Sequence, residues 1–263
     1  MKRDGHVHTP FCPHGTKDRF EDYIEKALTL GMEEISFTEH APLPKGFMDT
    51  TPAKDSAMSW SELSLYFDEL ERVKKIYKGK IKINSGLEID FIEGFESEIK
   101  QTLNQIGSKL DDAILSVHFL KNKQKYDCLD YSPQFFSKMV ESYGSVEAIY
   151  QKYYETVQLS VHADLGIYKP VRIGHITLVH KFQSKFPFNG DEQSILLQLL
   201  KGIKEKGYSL DYNGAGTAKP LCREPYPPNW VIVEAKKLSI PLVYGSDAHQ
   251  AIELGQGYDQ LLS

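Results

Sequence analysis

Histidines and carboxylates recur in this sequence at the ends of short apolar segments, and both are side chains that bind metal ions. His6 and His8 are separated by one residue at the end of the first segment. In a β-strand, side chains two positions apart lie on the same face, so these two imidazoles can chelate one ion. Because His-x-His is frequent by chance, this pair alone indicates a metal site only weakly.

Five further apolar segments end in, or close to, the same kinds of side chain. These residues are Glu39, His40, Glu88, Asp90, His118, His175, Asp247 and His249, and His14 follows the first segment in the adjoining loop. Such a set exceeds the three protein ligands that one catalytic zinc usually takes, and it suits zinc, iron or manganese. The pattern predicts a centre of two or three metals with a bridging hydroxide, which is the machinery of phosphoester hydrolysis.

The elements that must position these residues alternate between β-branched segments and amphipathic helical segments. The predicted strands are Arg3–His8, Glu34–Glu39, Lys80–Phe91, Ala113–Phe119, Val171–Ile176, Ser209–Asn213 and Leu242–Ser246. The predicted helices are Asp18–Leu30, Ser61–Tyr77, Phe95–Ile106, Val146–Leu165, Glu192–Lys206 and Asn229–Leu238. This α/β alternation predicts a single domain over residues 1–263, a distorted (β/α)7 TIM-like barrel, with a doubly wound open sheet as the alternative.

Two long connections, Ala41–Trp60 and Leu120–Pro133, interrupt the alternation, and each follows a strand end that carries a histidine. Connections of this length in a domain are usually functional lids or irregular excursions. In a barrel the catalytic side chains lie at the C-terminal ends of the strands, which is where the predicted ligands fall. The two connections are therefore expected to border the metal centre.

Composition limits the classes of partner. The chain has 263 residues and a net charge of −5, which argues against a general nucleic-acid or anionic-membrane binder. It shows no apolar N-terminal segment and no run of about 18 apolar residues, so we expect a cytoplasmic protein. Cys12, Cys128 and Cys222 are odd in number and far apart, which fits a reducing compartment. Cys12 lies between His8 and His14, but we expect it to be a small loop residue.

The motifs, taken in order, resemble those of the polymerase and histidinol phosphatase (PHP) superfamily over nearly the whole chain. They are His6-x-His8, Glu39-His40, Glu88, His118, His175 and Asp247-x-His249. The segments 4–15, 87–91, 115–119 and 213–227 resemble the members that hydrolyse L-histidinol phosphate in histidine biosynthesis. The resemblance implies a trinuclear centre of divalent ions, zinc, iron or manganese. It places metal one on His6, His8, Glu88 and Asp247, metal two on Glu88, His118 and His175, and metal three on His14, His40 and His249.

The expected reaction is hydrolysis of a phosphate monoester by a metal-bridging hydroxide. Asp247 is the candidate to orient the water or to accept a proton, with Glu88 and His249 as the other candidate catalytic residues. A dianionic phosphate also requires fixed cations, and Arg223 is the favoured bidentate contact, with Arg172 as a weaker candidate. Lys181 and Lys219 are further candidates.

The small-molecule substrate would carry an ammonium and an imidazole, which suit a carboxylate and an aromatic wall. The candidates for that wall are Asp90, Phe91, Asp164, Phe47, Trp60 and Tyr226. Two histidines are left outside the predicted centre. We expect His162, within a long helix, to be structural, and His180 to lie at the surface or behind the metal ligands.

Three other functions compete with this interpretation. A phosphoesterase of the same family acting on another phosphomonoester or on nucleotides would share the centre. A metal-dependent amidohydrolase would need a bridging lysine at the third or fourth strand end, where Glu88 stands instead. A non-catalytic metal-binding regulatory module would show eroded ligand positions and appended domains. The pattern leaves the oligomeric state open.

Overall fold

The structure is a computed structural model that describes residues 2–261 of the chain. Within these residues the strands are β1 (Arg3–Val7), β2 (Glu34–His40), β3 (Lys82–Asp90), β4 (Asp112–Ser116), β5 (Phe119–Asn122), β6 (Lys125–Cys128), β7 (Arg172–Ile173), β8 (Ser209–Asn213) and β9 (Leu242–Gly245). The α-helices are α1 (Phe20–Thr29), α2 (Leu63–Ile76), α3 (Glu96–Ile106), α4 (Pro133–Tyr143), α5 (Val146–His162), α6 (Glu192–Glu205) and α7 (Asn229–Lys237).

Seven of the strands form one parallel sheet in the order β1-β2-β3-β4-β7-β8-β9, and β5 pairs antiparallel with β6 beside it. The two edge strands approach each other, because the His8 N–H donates to the Ala248 carbonyl at 3.0 Å and the Asp247 N–H donates to the His6 carbonyl at 2.7 Å. The sheet is therefore a nearly closed barrel of seven strands. This confirms the predicted (β/α)7 architecture over an open sheet.

The helices cover the barrel with their apolar faces. In α1 the buried side chains are Phe20, Tyr23, Ile24 and Ala27, at the spacing of one helical face. The helix ends before Gly31, whose φ of 70° is the left-handed conformation that glycine adopts most readily. Within residues 2–261 no helix is long and apolar enough to span a membrane.

The segment after β4 differs from the prediction. The predicted loop Leu120–Pro133 contains the hairpin of β5 and β6, and it is followed by α4, which was not predicted. The hairpin strands have only four residues each, which is too short to show a clear alternating pattern. The start of α4 did carry a signal, since the Ser132 hydroxyl accepts from the Phe135 N–H and Pro133 occupies the first turn.

Candidate metal centre

The C-terminal ends of the barrel strands bring all nine predicted ligands to one place. β1 carries His6 and leads into His8, β2 ends at His40, and β3 carries Glu88 beside His40 in register. The other predicted ligands lie in the loop after β1 or just after β4, β7 and β9. They are His14, His118, His175, Asp247 and His249, in that order. Parallel strands end on the same side of a barrel, which is why residues distant in sequence converge here.

Glu88 lies at the middle of the centre, with a side chain that is 1% exposed. Five imidazoles surround its two carboxylate oxygens. Near Oε2 are His40 Nδ1 at 3.1 Å, His6 Nε2 at 3.3 Å and His8 Nε2 at 3.6 Å, and near Oε1 are His175 Nε2 at 3.0 Å and His118 Nε2 at 3.8 Å. Burial opposes the charge of Glu88, but the imidazoles outweigh it and hold the pKa of this carboxyl well below its usual value.

His14 and His249 face each other on the other side of the centre. His14 Nδ1 contacts the Asp55 carbonyl at 2.7 Å, and His249 Nδ1 contacts the Asp247 carbonyl at 3.0 Å. A carbonyl only accepts, so both Nδ1 atoms carry a proton, and in the neutral rings both Nε2 atoms are available to a metal ion. These two Nε2 atoms are 3.1 Å apart, an arrangement that a shared cation satisfies.

Three carboxylates stand behind the imidazoles and set their orientation. The pairs are His6 Nδ1 with Asp211 Oδ2 at 2.8 Å, His8 Nδ1 with Glu39 Oε1 at 3.2 Å, and His118 Nδ1 with Asp90 Oδ1 at 2.7 Å. A carboxylate that accepts from Nδ1 leaves Nε2 free to bind a metal, which is the usual arrangement behind a metal-bound histidine. Asp211 was not predicted in this role, because its strand β8 carries no histidine to draw attention to it.

The donor set fits divalent metal ions. Several buried polar atoms of the centre have no hydrogen-bond partner, namely His6 Nε2, His40 Nδ1, Glu88 Oε2 and His175 Nδ1. The centre contains three groups of side chains, and within each group the potential ligand atoms lie within 4.8 Å of one another. The groups are His6, His8 and Asp247; Glu88, His118 and His175; and His8, Cys12, His40 and His249. Burial raises the pKa of the Cys12 thiol well above its usual value, so nitrogen and oxygen dominate the set.

Without a bound cation, neighbouring imidazoles cannot all carry charge. Burial disfavours the charged form of His118, but Asp90 and Glu88 outweigh it and raise its pKa to about 10. Burial and the positive His8 lower the pKa of His40 to about 4. These opposite shifts arise within one cluster, because the imidazoles outnumber the carboxylates that can neutralise them.

A cavity of about 320 Å³ opens over the centre. The cavity is lined by six of the predicted ligands, namely His14, His40, His118, His175, Asp247 and His249. Asp55 from the long β2–α2 connection and Cys128 and Asp130 from the β6–α4 region also line it. Its cations are Lys181 and Lys219. The Lys181 ammonium donates to Asp130 at 2.8 Å. Both predicted long connections therefore border the cavity.

The two arginines predicted to bind phosphate do not line this cavity. Arg172 begins β7, and its guanidinium lies at the opposite end of the barrel, where Nη2 donates to Asp112 and to the Gly5 carbonyl, each at 2.8 Å. The prediction of Arg172 as a phosphate contact is wrong, because the first residue of a barrel strand lies at the end opposite the metal centre. Arg223 is exposed, and its Nε donates to the Pro220 carbonyl at 3.1 Å. The cavity's own cations are lysines.

The other predicted wall residues divide into two sets. Asp90 and Tyr226 line the cavity, although Asp90 is already paired with His118. The remaining four lie elsewhere. Phe91 is fully buried, and Phe47 packs against the rings of Phe95, Phe119 and Tyr126. Trp60 donates to the Leu43 carbonyl, and Asp164 pairs with Lys100.

Two histidines lie outside the predicted centre. His162 is exposed at the end of α5, and His180 is buried, with 3% of its surface exposed.

The fold and this centre define a metal-dependent barrel of one known class. The chain belongs to the PHP domain family, whose model matches residues 4–215. It is 48% identical over 264 residues to the histidinol-phosphatase of Bacillus subtilis, which covers 100% of this chain and 98% of that protein.

Solved structures show the same fold. A crystal structure of a candidate histidinol phosphatase from Listeria monocytogenes superposes with a TM-score of 0.95 at 40% identity, covering 98% of this chain and 99% of that one. The histidinol phosphate phosphatase of Lactococcus lactis, solved with zinc, L-histidinol and phosphate, superposes with a TM-score of 0.69 at 22% identity, covering 95% of this chain and 87% of that one. At that identity, the second likeness shows the fold alone.

Proposed function

We propose that this protein hydrolyses L-histidinol phosphate to L-histidinol and phosphate, a step of histidine biosynthesis. The observation that carries the chemistry is Glu88 surrounded by five imidazoles, three of which line a cavity of about 320 Å³. The full-length identity of 48% to the histidinol-phosphatase of Bacillus subtilis supports the substrate. Three buried cysteines without disulfides support a cytoplasmic location, since such thiols persist in a reducing compartment.

The centre would hold three divalent ions, zinc, iron or manganese. The ligands would be His6, His8, Glu88 and Asp247 for the first ion, Glu88, His118 and His175 for the second, and His14, His40 and His249 for the third. When bound, such ions neutralise phosphate oxygens and lower the pKa of a coordinated water. Glu88 fits a bridging role because both of its oxygens face imidazoles.

Asp247 would orient the attacking water and hold a proton. Its carboxylate lines the cavity, where Oδ1 lies 3.0 Å from His8 Nε2 and Oδ2 accepts from the Asn213 amide at 3.1 Å. Burial opposes its charge, but His6 and His8 outweigh it and hold the pKa of Asp247 well below its usual value. The carboxylate is therefore ionised at neutral pH, as a proton acceptor must be.

The phosphate contacts would come from Lys181 and Lys219, the cations of the cavity. Burial opposes the charge of Lys181, but Asp130 outweighs it and keeps the pKa of the ammonium above its usual value. A charged, half-buried lysine beside the centre suits a dianionic phosphate. The organic half of the substrate would meet Asp55, Glu253 and Tyr131, which offer carboxylates and an aromatic face in the same cavity.

The test is to purify the protein, count its bound metals, and measure phosphate release from a panel of monoesters. The panel includes histidinol phosphate, sugar phosphates and nucleotides. We expect the kcat/KM for histidinol phosphate to exceed that for every other compound. Comparable turnover of many unrelated monoesters would contradict the substrate and leave the phosphatase chemistry standing. Bound metal with no phosphate release from any compound would favour a regulatory module instead.

A further inference from the structure

His180 forms a buried ionic cluster outside the metal centre. It lies in the 3-10 helix Leu178–Phe182, where Nε2 contacts Glu192 Oε1 at 2.6 Å and Nδ1 contacts Glu224 Oε1 at 2.8 Å. The Tyr154 hydroxyl also donates to Glu192 Oε1, at 2.6 Å. Because a carboxylate only accepts, both ring nitrogens must donate, and His180 is therefore an imidazolium.

The groups that face His180 stabilise its charge. They come from α5 (Tyr150, whose ring is stacked 5.8 Å away, and Tyr154), from α6 (Glu192) and from the loop after β8 (Glu224). Burial opposes the charge, but the two glutamates outweigh it and raise the pKa of His180 to about 9. The cluster thus contains one cation and two anions at neutral pH.

The cluster joins two segments that both reach the cavity. One is the turn of residues 178–184, which contains His180, and the other is residues 214–228, which we call the β8–α7 loop. Glu224 belongs to this loop, and the Gln183 side chain donates to Glu224 Oε1 at 2.9 Å and to the Cys222 carbonyl at 3.0 Å. The Ser184 N–H donates to the Leu221 carbonyl at 3.0 Å. The loop is thereby held against the turn that contains His180.

Each of these segments contributes a cation to the cavity. Lys219 and Tyr226 line the cavity from the β8–α7 loop, and Lys181 lines it from the turn. His180 and Lys181 are adjacent in sequence, so one turn binds the loop through the first side chain and presents an ammonium through the second. The spacing of the two cavity lysines therefore depends on the contacts between the turn and the loop, and the contact between His180 and Glu224 is the ionic one among them.

We propose that His180 is a positioning residue for phosphate binding, which acts by tying the β8–α7 loop, through Glu224, to the turn that carries Lys181. This role rests on the proposed phosphatase function and adds a determinant of affinity that touches neither substrate nor metal. Glu192 provides a matched control. It pairs with the same imidazole, but it lies on α6 and lines no part of the cavity.

The test compares Glu224→Ala with Glu192→Ala in the metal-loaded protein. Calorimetry measures the Kd of inorganic phosphate, and steady-state kinetics measure KM and kcat for histidinol phosphate. Glu224→Ala should raise the Kd and KM roughly fivefold or more, because small displacements of binding groups are costly, and kcat should stay within about twofold. Glu192→Ala should change all three by less than about twofold. Metal content should be equal in the three proteins.

Two further measurements separate positioning from general destabilisation. His180→Gln should reproduce the raised Kd of Glu224→Ala, and the difference in Kd between wild type and Glu224→Ala should narrow as pH rises past about 9. Equal effects of Glu224→Ala and Glu192→Ala on the Kd, or no effect of either, would overturn the proposal. If the wild type fails to hydrolyse histidinol phosphate, the proposed function falls, while the phosphate Kd still tests the positioning role.

Discussion

The barrel holds two buried clusters of histidine and carboxylate, and they differ in how their hydrogen-bonding groups balance. Around His180, one imidazole meets two carboxylates, and each ring N–H has an acceptor. Around Glu88, one carboxylate meets five imidazoles, and His14 and His249 present facing Nε2 atoms at 3.1 Å. The first cluster is complete in itself, and the second requires cations from outside the chain.

The comparison shows that composition alone does not identify a metal site. Both clusters are buried and both combine the same two side-chain types. What separates them is the direction of the ring nitrogens. In the metal centre, outer groups occupy Nδ1 of His6, His8 and His118 and turn Nε2 inward, whereas in the His180 cluster carboxylates occupy both nitrogens.

The largest expected effect comes from removing the central carboxylate. Glu88→Gln should lower kcat/KM for histidinol phosphate on the order of 10³-fold and reduce the bound metal, because it deletes the charge that both halves of the centre share. Phosphate release and metal analysis measure the two losses. Glu93→Gln is the control, since Glu93 pairs with Lys152 outside the cavity. Retained metal with full activity in Glu88→Gln would refute the assignment.

The His180 cluster should respond to pH rather than to metal. The pKa of His180 is about 9 in the folded protein against an ordinary 6.5, so folding favours the protonated form. Its contribution, about 3 kcal/mol at most, is fully present below pH 6.5 and is lost as pH rises through 9. Denaturant unfolding at pH 6.5 and pH 9.5 should show a larger loss of stability in wild type than in His180→Gln. Equal losses would contradict the ion cluster.

Changing an outer carboxylate should have an intermediate effect. Asp211→Asn keeps the shape of the side chain but weakens its hold on His6 Nδ1, so metal affinity or activity should fall about 10- to 100-fold. Titration of the metal-free protein with zinc, followed by activity measurements, gives both values. Asp164→Asn, at an exposed ion pair with Lys100, serves as the control. An unchanged zinc affinity and activity would show that Asp211 does not orient the ligand.

The smallest expected effects distinguish Lys219, which lines the cavity, from Arg223, which is exposed outside it. Lys219→Ala should raise KM about tenfold, the usual cost of a lost contact to a charged group. Arg223→Ala should change KM by less than about twofold, because its side chain lies outside the cavity. Steady-state kinetics on histidinol phosphate compare the pair. The reverse order would restore Arg223 as the phosphate contact.

The barrel and the convergence of ligand-type side chains at one end of it were predictable from the pattern of the strands. Alternation of strands and helices predicts the barrel, and His40, Glu88 and His118 lie at strand ends that a parallel barrel brings together. The hairpin of β5 and β6 was not predictable in the same way, since strands of four residues are too short to show a pattern. The prediction for Arg172 failed because residue type alone does not say at which end of a barrel a side chain lies.

The sequence by itself therefore determined the barrel and placed nine ligand-type side chains at one end of it, since strand periodicity and parallel order are local properties. The tertiary structure decided the groups behind and beside them. Asp211 reaches His6 across 205 positions of sequence, and Glu224 reaches His180 across 44. Contacts of this kind depend on how separate loops and strands pack, and no local pattern encodes that packing.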